Sequence, residues 1–278
     1  MSFAFKSLAT VIYMLFNSLL LFSQSVDNLN IEKVQEDGLT NSYITSIRQD
    51  KNGFIWVGSG EGVFRYDGYS FKAFRSMPGD EATLASNRIT TLYTRNDKVW
   101  VGMSTGLSYI NINTLAVKNI PLFKSLEINN IVPKDNSSLW MATSTGLYLF
   151  HENDYSCKFI PAVARTKPVS DLVDDQKGHL FLTSFDGIYC YTIKTGKYKF
   201  YPVDLPTYPE HDKNAHLSLG KVVLDHDGNL WISTWDAGLL RFNTKSGKTT
   251  TWFHPTDDVR FLPYKIILSI SPDKNGNL

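Results

Sequence analysis

The chain has 278 residues, 42% hydrophobic and 20% charged, a balance that suits a packed globular protein and excludes a disordered one. Lys and Arg total 28 against 27 Asp and Glu, so the net charge is +1, without the electrostatic footprint of a nucleic-acid binder. Aromatic residues reach 13%, which leans towards strands, and two cysteines are too few for a disulfide scaffold or a Cys-based zinc site.

Residues 1–25 differ from the rest. Lys6 is their one charge, and an apolar stretch runs from Leu8 to Phe22, interrupted by Asn17 and Ser18. It falls short of the roughly 20 residues a spanning helix needs. Ser23 and Ser25 then place small residues at the −3 and −1 positions of a cleavage site. The pattern predicts a secretory signal peptide over 1–25, with an uncleaved membrane anchor as the alternative. Export permits a disulfide. Cys157 and Cys190 are its candidates, although the repeat places them at non-equivalent positions on neighbouring units, which favours two free thiols.

From Ile44 onward the chain repeats itself. Each unit opens on a short apolar strand such as Ile44–Arg48, turns through an Asp-x-x-Gly element such as Asp50–Gly53, and continues into an apolar second strand such as Phe54–Gly58. An alternating third strand (Val63–Tyr66) and a weaker fourth (Ser70–Phe74) complete it. The second strands carry Trp56, Trp100, Trp140, Phe181 and Trp231, spaced by 44, 40, 41 and 50 residues. The units fall at about 44–74, 89–120, 129–160, 169–200 and 220–252, and a sixth begins at 266–278. After position 26 no window of 12 or more residues keeps a helical period. Four-strand units at this period predict an all-β fold, a β-propeller over 26–278 that is incomplete, with five full blades and the start of a sixth. A parallel β-solenoid is the alternative, disfavoured by the repeat length and the hairpin turns. An open arc of five blades with an unpaired edge, in a truncated product or fragment, is the expectation that follows.

The run Ile44–Gly68, with its Asp50–Gly53 turn, Ile55–Gly58 strand and Gly62–Tyr66 strand, resembles the two-component regulator propeller repeat, as does the opening Glu36–Ile44. The element at Thr83–Ile89 echoes that opening before the second repeat. The resemblance implies the periplasmic, oligosaccharide-sensing region of a hybrid histidine kinase, here as an N-terminal fragment. It also implies that contact with the membrane runs through C-terminal parts this chain lacks. It carries no universal ligand-binding motif, and it leaves a homodimer open.

Catalytic signatures are missing. The sequence has no Gly-x-Ser-x-Gly elbow, His-Glu-x-x-His or P-loop. Asp225–Gly228 resembles part of a calcium loop but lacks the later ligands, so it reads as an Asx-turn. The expectation is a non-enzyme without cofactor or metal. A cell-envelope scaffold propeller and a carbohydrate-active propeller enzyme are the competing readings. The candidate ligand-binding residues are Trp235 and Asp236, in a lengthened loop of the fifth repeat, with Tyr208, His211 and His216 in the long connection before it. A flat aromatic platform with polar edges suits a sugar. The competing reading is that Trp235 packs beneath the inserted connection.

Overall fold

Each repeat folds into one antiparallel sheet whose four strands follow chain order. The first blade comprises β1 (Ile44–Gln49), β2 (Ile55–Ser59), β3 (Gly62–Tyr66) and β4 (Phe71–Phe74). The second comprises β5 (Ile89–Arg95), β6 (Lys98–Met103), β7 (Gly106–Asn111) and β8 (Val117–Ile120). The third comprises β9 (Ile128–Pro133), β10 (Ser138–Thr143), β11 (Gly146–His151) and β12 (Cys157–Ile160). The fourth comprises β13 (Asp171–Asp174), β14 (His179–Ser184), β15 (Gly187–Thr192) and β16 (Lys197–Pro202). The fifth comprises β17 (Leu219–Leu224), β18 (Asn229–Thr234), β19 (Leu239–Asn243) and β20 (Lys248–Thr251). This is a computed structural model, and it describes residues 43–163, 167–203, 219–235, 237–251, 266–273 and 278. Among the described residues the one helix is a 3-10 turn, Pro121–Phe123. The sheet architecture is the all-β propeller that the repeat predicts.

The apolar clusters lie between blades. Trp56 packs with Ile89, Leu92 and Val101 from the following unit and with Leu84 from the connection leading to it. Trp100 meets Ile128, Ile131 and Leu139, Trp140 meets Val169, Leu172 and Leu180, and Phe181 meets Leu219, Val222 and Leu230. Every seam therefore takes one large ring from the second strand of a blade and the first two strands of the next. Trp56 and Trp100 are fully buried, and Trp140 is 2% exposed. The first strand shows what a preceding sheet supplies. Leu92, Ile131, Leu172 and Val222 are buried at one register, whereas their counterpart Ile47, with no described sheet before it, is 56% exposed.

Close approach at the seam explains two glycines. A Cβ on Gly58 would lie 2.8 Å from Ile89 Cγ2, and one on Gly102 would lie 2.6 Å from Thr91 Cγ2. Polar ties reinforce the apolar ones. Val169 N donates to Thr143 O at 2.9 Å, and Ile267 N donates to Thr234 O at 2.8 Å, so residues 266–273 begin against the fifth blade as the fourth blade begins against the third. Arg95 joins the second blade to the third through Glu152 at 2.5 Å and Asp135 O at 2.6 Å. Cys157 and Cys190 are free thiols, each partly buried.

The Asp-x-x-Gly turns do more than close hairpins. Asp50 Oδ1 accepts from the backbone N–H groups of Asn52 and Phe54, while Oδ2 accepts the indole N–H of Trp56 at 2.7 Å. Asp225 repeats this, taking Asn229 N at 2.7 Å and Trp231 Nε1 at 2.9 Å. In the fourth blade, where Phe181 replaces the tryptophan, Asp175 Oδ2 instead lies 2.9 Å from His179 Nδ1. The device needs aspartate six residues before tryptophan. Thr94 and Lys134 hold that place for Trp100 and Trp140. The indole N–H groups of Trp100 and Trp140 are buried without an acceptor.

A buried donor or acceptor left unpaired costs about 1–3 kcal/mol. Trp56→Phe takes the donor from Asp50 Oδ2, whereas Trp100→Phe removes an N–H that is already unpaired. Both lose similar ring volume. Urea denaturation is expected to show Trp56→Phe more destabilising than Trp100→Phe by about 1–3 kcal/mol. Equal losses would show that the Asp50 bond contributes nothing net.

Candidate functional site

The chain order of the strands fixes two faces. Connections between blades and the loops joining second to third strands emerge on one, and the Asp-x-x-Gly turns on the other. The first strands β1, β5, β9, β13 and β17 line the middle. Four of them carry a register break near their start, between Ile44 and Ser46, Ile89 and Thr91, Ile128 and Asn130, and Leu219 and Val222. Such a bulge re-aims side chains. The residue preceding the equivalent apolar position lies beside the channel: Ser46, Thr91, Asn130, Asp171, Lys221 and, in the sixth unit, Ser269. These six line one cavity of about 490 Å³. No sequence motif marks them, because six units place five different residue types there. The signal was positional, a polar residue inside an otherwise apolar first strand.

This rung also ties blades together. Ser46 Oγ accepts from Leu92 N at 3.2 Å, across the first seam. Asp171 is 2% exposed and accepts from Leu172 N at 2.8 Å, from Val222 N of the next blade at 3.0 Å, and from Asn130 Nδ2 of the preceding blade. One carboxylate thus joins three blades. Burial pushes its pKa up, against the pull of Lys221 and of its three donors. Arg48 reaches the same cavity from β1. Burial lowers its pKa, and the charge of Asp171 acts the other way. Neither Arg48 nor Lys221 forms an ion pair within 4.0 Å among the described residues. A second cavity, also about 490 Å³, lies on the loop face beside Tyr43, Arg88, Thr90 and Asn129, and Thr45 lines both cavities. The Thr45 hydroxyl is buried without a partner.

Trp235 stands in the β18–β19 connection and is 55% exposed. Asp236, Tyr208, His211 and His216 lie outside the described residues. The equivalent loop of the fourth blade carries Phe185, 44% exposed, which the sequence reading passed over. At this loop position three blades place Gly60, Ser104 and Ser144, and two adjacent blades place Phe185 and Trp235. Lys167 lies 5.6 Å over the Phe185 ring and pairs with Asp186, which also accepts the Tyr189 hydroxyl at 2.9 Å. The loop face therefore offers two exposed rings on neighbouring blades, one of them edged by charge.

The family model for the two component regulator propeller matches residues 38–61. That stretch carries one copy of the two component regulator propeller repeat. Histidine kinase P4 of Formosa agariphila is 41% identical over 49 residues, 18% of this chain and 4% of that protein. Two chains described as extracellular domains of two component systems from B. thetaiotaomicron share the fold of this chain. One has a TM-score of 0.58 at 17% identity, over 86% of this chain and 38% of that one. The other has 0.59 at 19%, over 86% and 37%. This chain thus spans under two fifths of those chains. Virginiamycin B lyase from Staphylococcus aureus has the same fold, with a TM-score of 0.59 at 16% identity over 82% of this chain and 76% of that enzyme.

The raised pKa of Asp171 has a signed consequence. An unfolded aspartate titrates near 3.9. Between about pH 4 and the higher folded value, folding takes up a proton, so the Asp171 contribution to stability declines as pH rises and stays low above that window. The turn carboxylates Asp175 and Asp225 act oppositely. Burial raises them, but their hydrogen bonds outweigh it, so the stability they add is lost as pH falls below about 4. Asp171→Asn cannot titrate. Melting temperature plotted against pH is expected to fall less steeply above pH 4 in that variant than in the parent, and parallel profiles would contradict the assignment.

Proposed function

We propose that this chain is the ligand-sensing propeller of a two-component system, exported to the periplasm, non-catalytic, and directed at oligosaccharides. The observation that carries the reading is the pair of exposed rings, Phe185 and Trp235, at equivalent loop positions on adjacent blades. Sugars present apolar faces that stack on such rings and hydroxyls that seek polar edges. The likeness to extracellular domains of two component systems supports a sensor role. The charge-poor apolar segment at 8–22 followed by small residues supports export. Tyr208, His211, His216 and Asp236 are proposed to supply polar groups beside Trp235.

The test is calorimetric titration of the chain from residue 26 onward with a panel of oligosaccharides, alongside a turnover assay on the same panel. Binding without product formation is expected. Trp235→Ala and Phe185→Ala are expected to weaken that binding at least about tenfold without lowering the melting temperature, since exposed positions contribute little to stability. Unchanged affinity in both variants would remove the loop face as the site, and released product would make the chain an enzyme.

A further inference from the structure

The channel holds charges that the fold does not use. Arg48, Lys221 and Asp171 are the ionisable residues lining the 490 Å³ cavity among the described residues, so its formal balance is one positive charge in excess. In an ordinary buried ion pair a cation would sit on the Asp171 carboxylate. Here that carboxylate is occupied by two backbone N–H groups and the Asn130 amide, and both cations stand apart from it. Among the described residues Arg48 engages the carbonyl of Ile47, through Nη1 at 2.8 Å, and has further N–H donors to offer an acceptor. Two cations sharing a channel of lowered dielectric repel each other, and an anion between them relieves that repulsion. The residues at the register of Arg48 in the other first strands, Tyr93, Val132, Val173 and Val223, are uncharged. Ser46 and Ser269 add hydroxyls to the cavity wall, and the cavity volume falls in the range of small-molecule sites.

We infer that the channel seats an anionic group, the carboxylate or sulfate ester of an acidic sugar, between Arg48 and Lys221. This rests on the oligosaccharide reading and narrows it to acidic sugars. Guanidinium and ammonium groups bind carboxylate and sulfate through charge-assisted hydrogen bonds, and the serine hydroxyls meet the sugar ring. Asp171 holds β9, β13 and β17 in register around the site and excludes a second anionic group from its own side. Trp235 and Phe185 then hold the neutral part of the chain on the loop face.

The probes are a uronate-containing disaccharide, a sulfated disaccharide, a neutral disaccharide of equal size, and inorganic sulfate, titrated into the chain from residue 26. One or both acidic disaccharides are expected to bind at least tenfold more tightly than the neutral one, with affinity falling as salt rises. Lys221→Gln and Arg48→Gln are each expected to remove that advantage, and Lys221→Arg to restore most of it, which separates lost charge from lost folding. Equal binding of acidic and neutral sugars, or an advantage unchanged in both Gln variants, overturns the anion site while leaving the oligosaccharide reading standing. Sulfate that binds and is lost in Lys221→Gln, with no sugar binding, upholds the anion site and overturns the oligosaccharide reading. If neither acidic sugars nor sulfate bind at millimolar concentration, the inference is wrong.

Discussion

A four-stranded sheet has two apolar faces and can hide neither by itself. That constraint organises the molecule. Radial stacking hides each face against the next sheet, and the contact is made at one place per seam, where a large ring from a second strand meets the first two strands of the following blade. Ile47 shows the force of the rule by its exposure, because its four counterparts are buried by the blade before them. Leaving a leucine-sized side chain in water forfeits about 1.5–3 kcal/mol relative to burying it. Repeated at several positions per seam, that difference is what makes the units one body.

Much of this was legible in the residues. The rings at 56, 100, 140, 181 and 231 announce the seams because no other packing explains a tryptophan or phenylalanine recurring in an apolar strand. The Asp-x-x-Gly turns were legible as turns, with Gly53 at φ +91° and Gly228 at φ +83° in the left-handed region they require. Their second role was not. Whether the carboxylate reaches the indole depends on a count of six residues, met by Asp50 with Trp56 and by Asp225 with Trp231, and missed at Trp100, where the hairpin is shorter, and at Trp140, where a hairpin as long as the first carries Lys134 at that place and Asp135 one residue later. A turn one residue shorter, or an aspartate one residue later, looks equivalent in a repeat alignment yet leaves an indole N–H unpaired.

The channel was hidden for a different reason. Four of the residues that face it follow a bulge, and bulges follow from register rather than from composition; Asp171 stands there without one. Ser46, Thr91, Asn130, Asp171, Lys221 and Ser269 share a place but no chemistry. Phe185 escaped notice similarly: without the register that aligns it with Trp235, it is one more phenylalanine among 17. Trp235 was found because its loop is longer than the others.

These failures of legibility have a common physical cause that bears on function. The seams fix the positions of the strands, so the rung and the loop tips contribute less to folding than the rings do and tolerate different residues from blade to blade. Gly60, Ser104 and Ser144 at one loop position coexist with Phe185 and Trp235, and a lysine follows an aspartate along the rung, while the ring positions stay aromatic throughout. Asp171 is the exception: it joins three blades, and its charge is therefore tied to stability as well as to the channel. The cations beside it carry no such tie. A fold that confines uniformity to its seams leaves its channel and loop face free to differ in charge and shape, and in this chain that freedom is used asymmetrically, with exposed rings on the fourth and fifth blades and channel cations on the first and fifth.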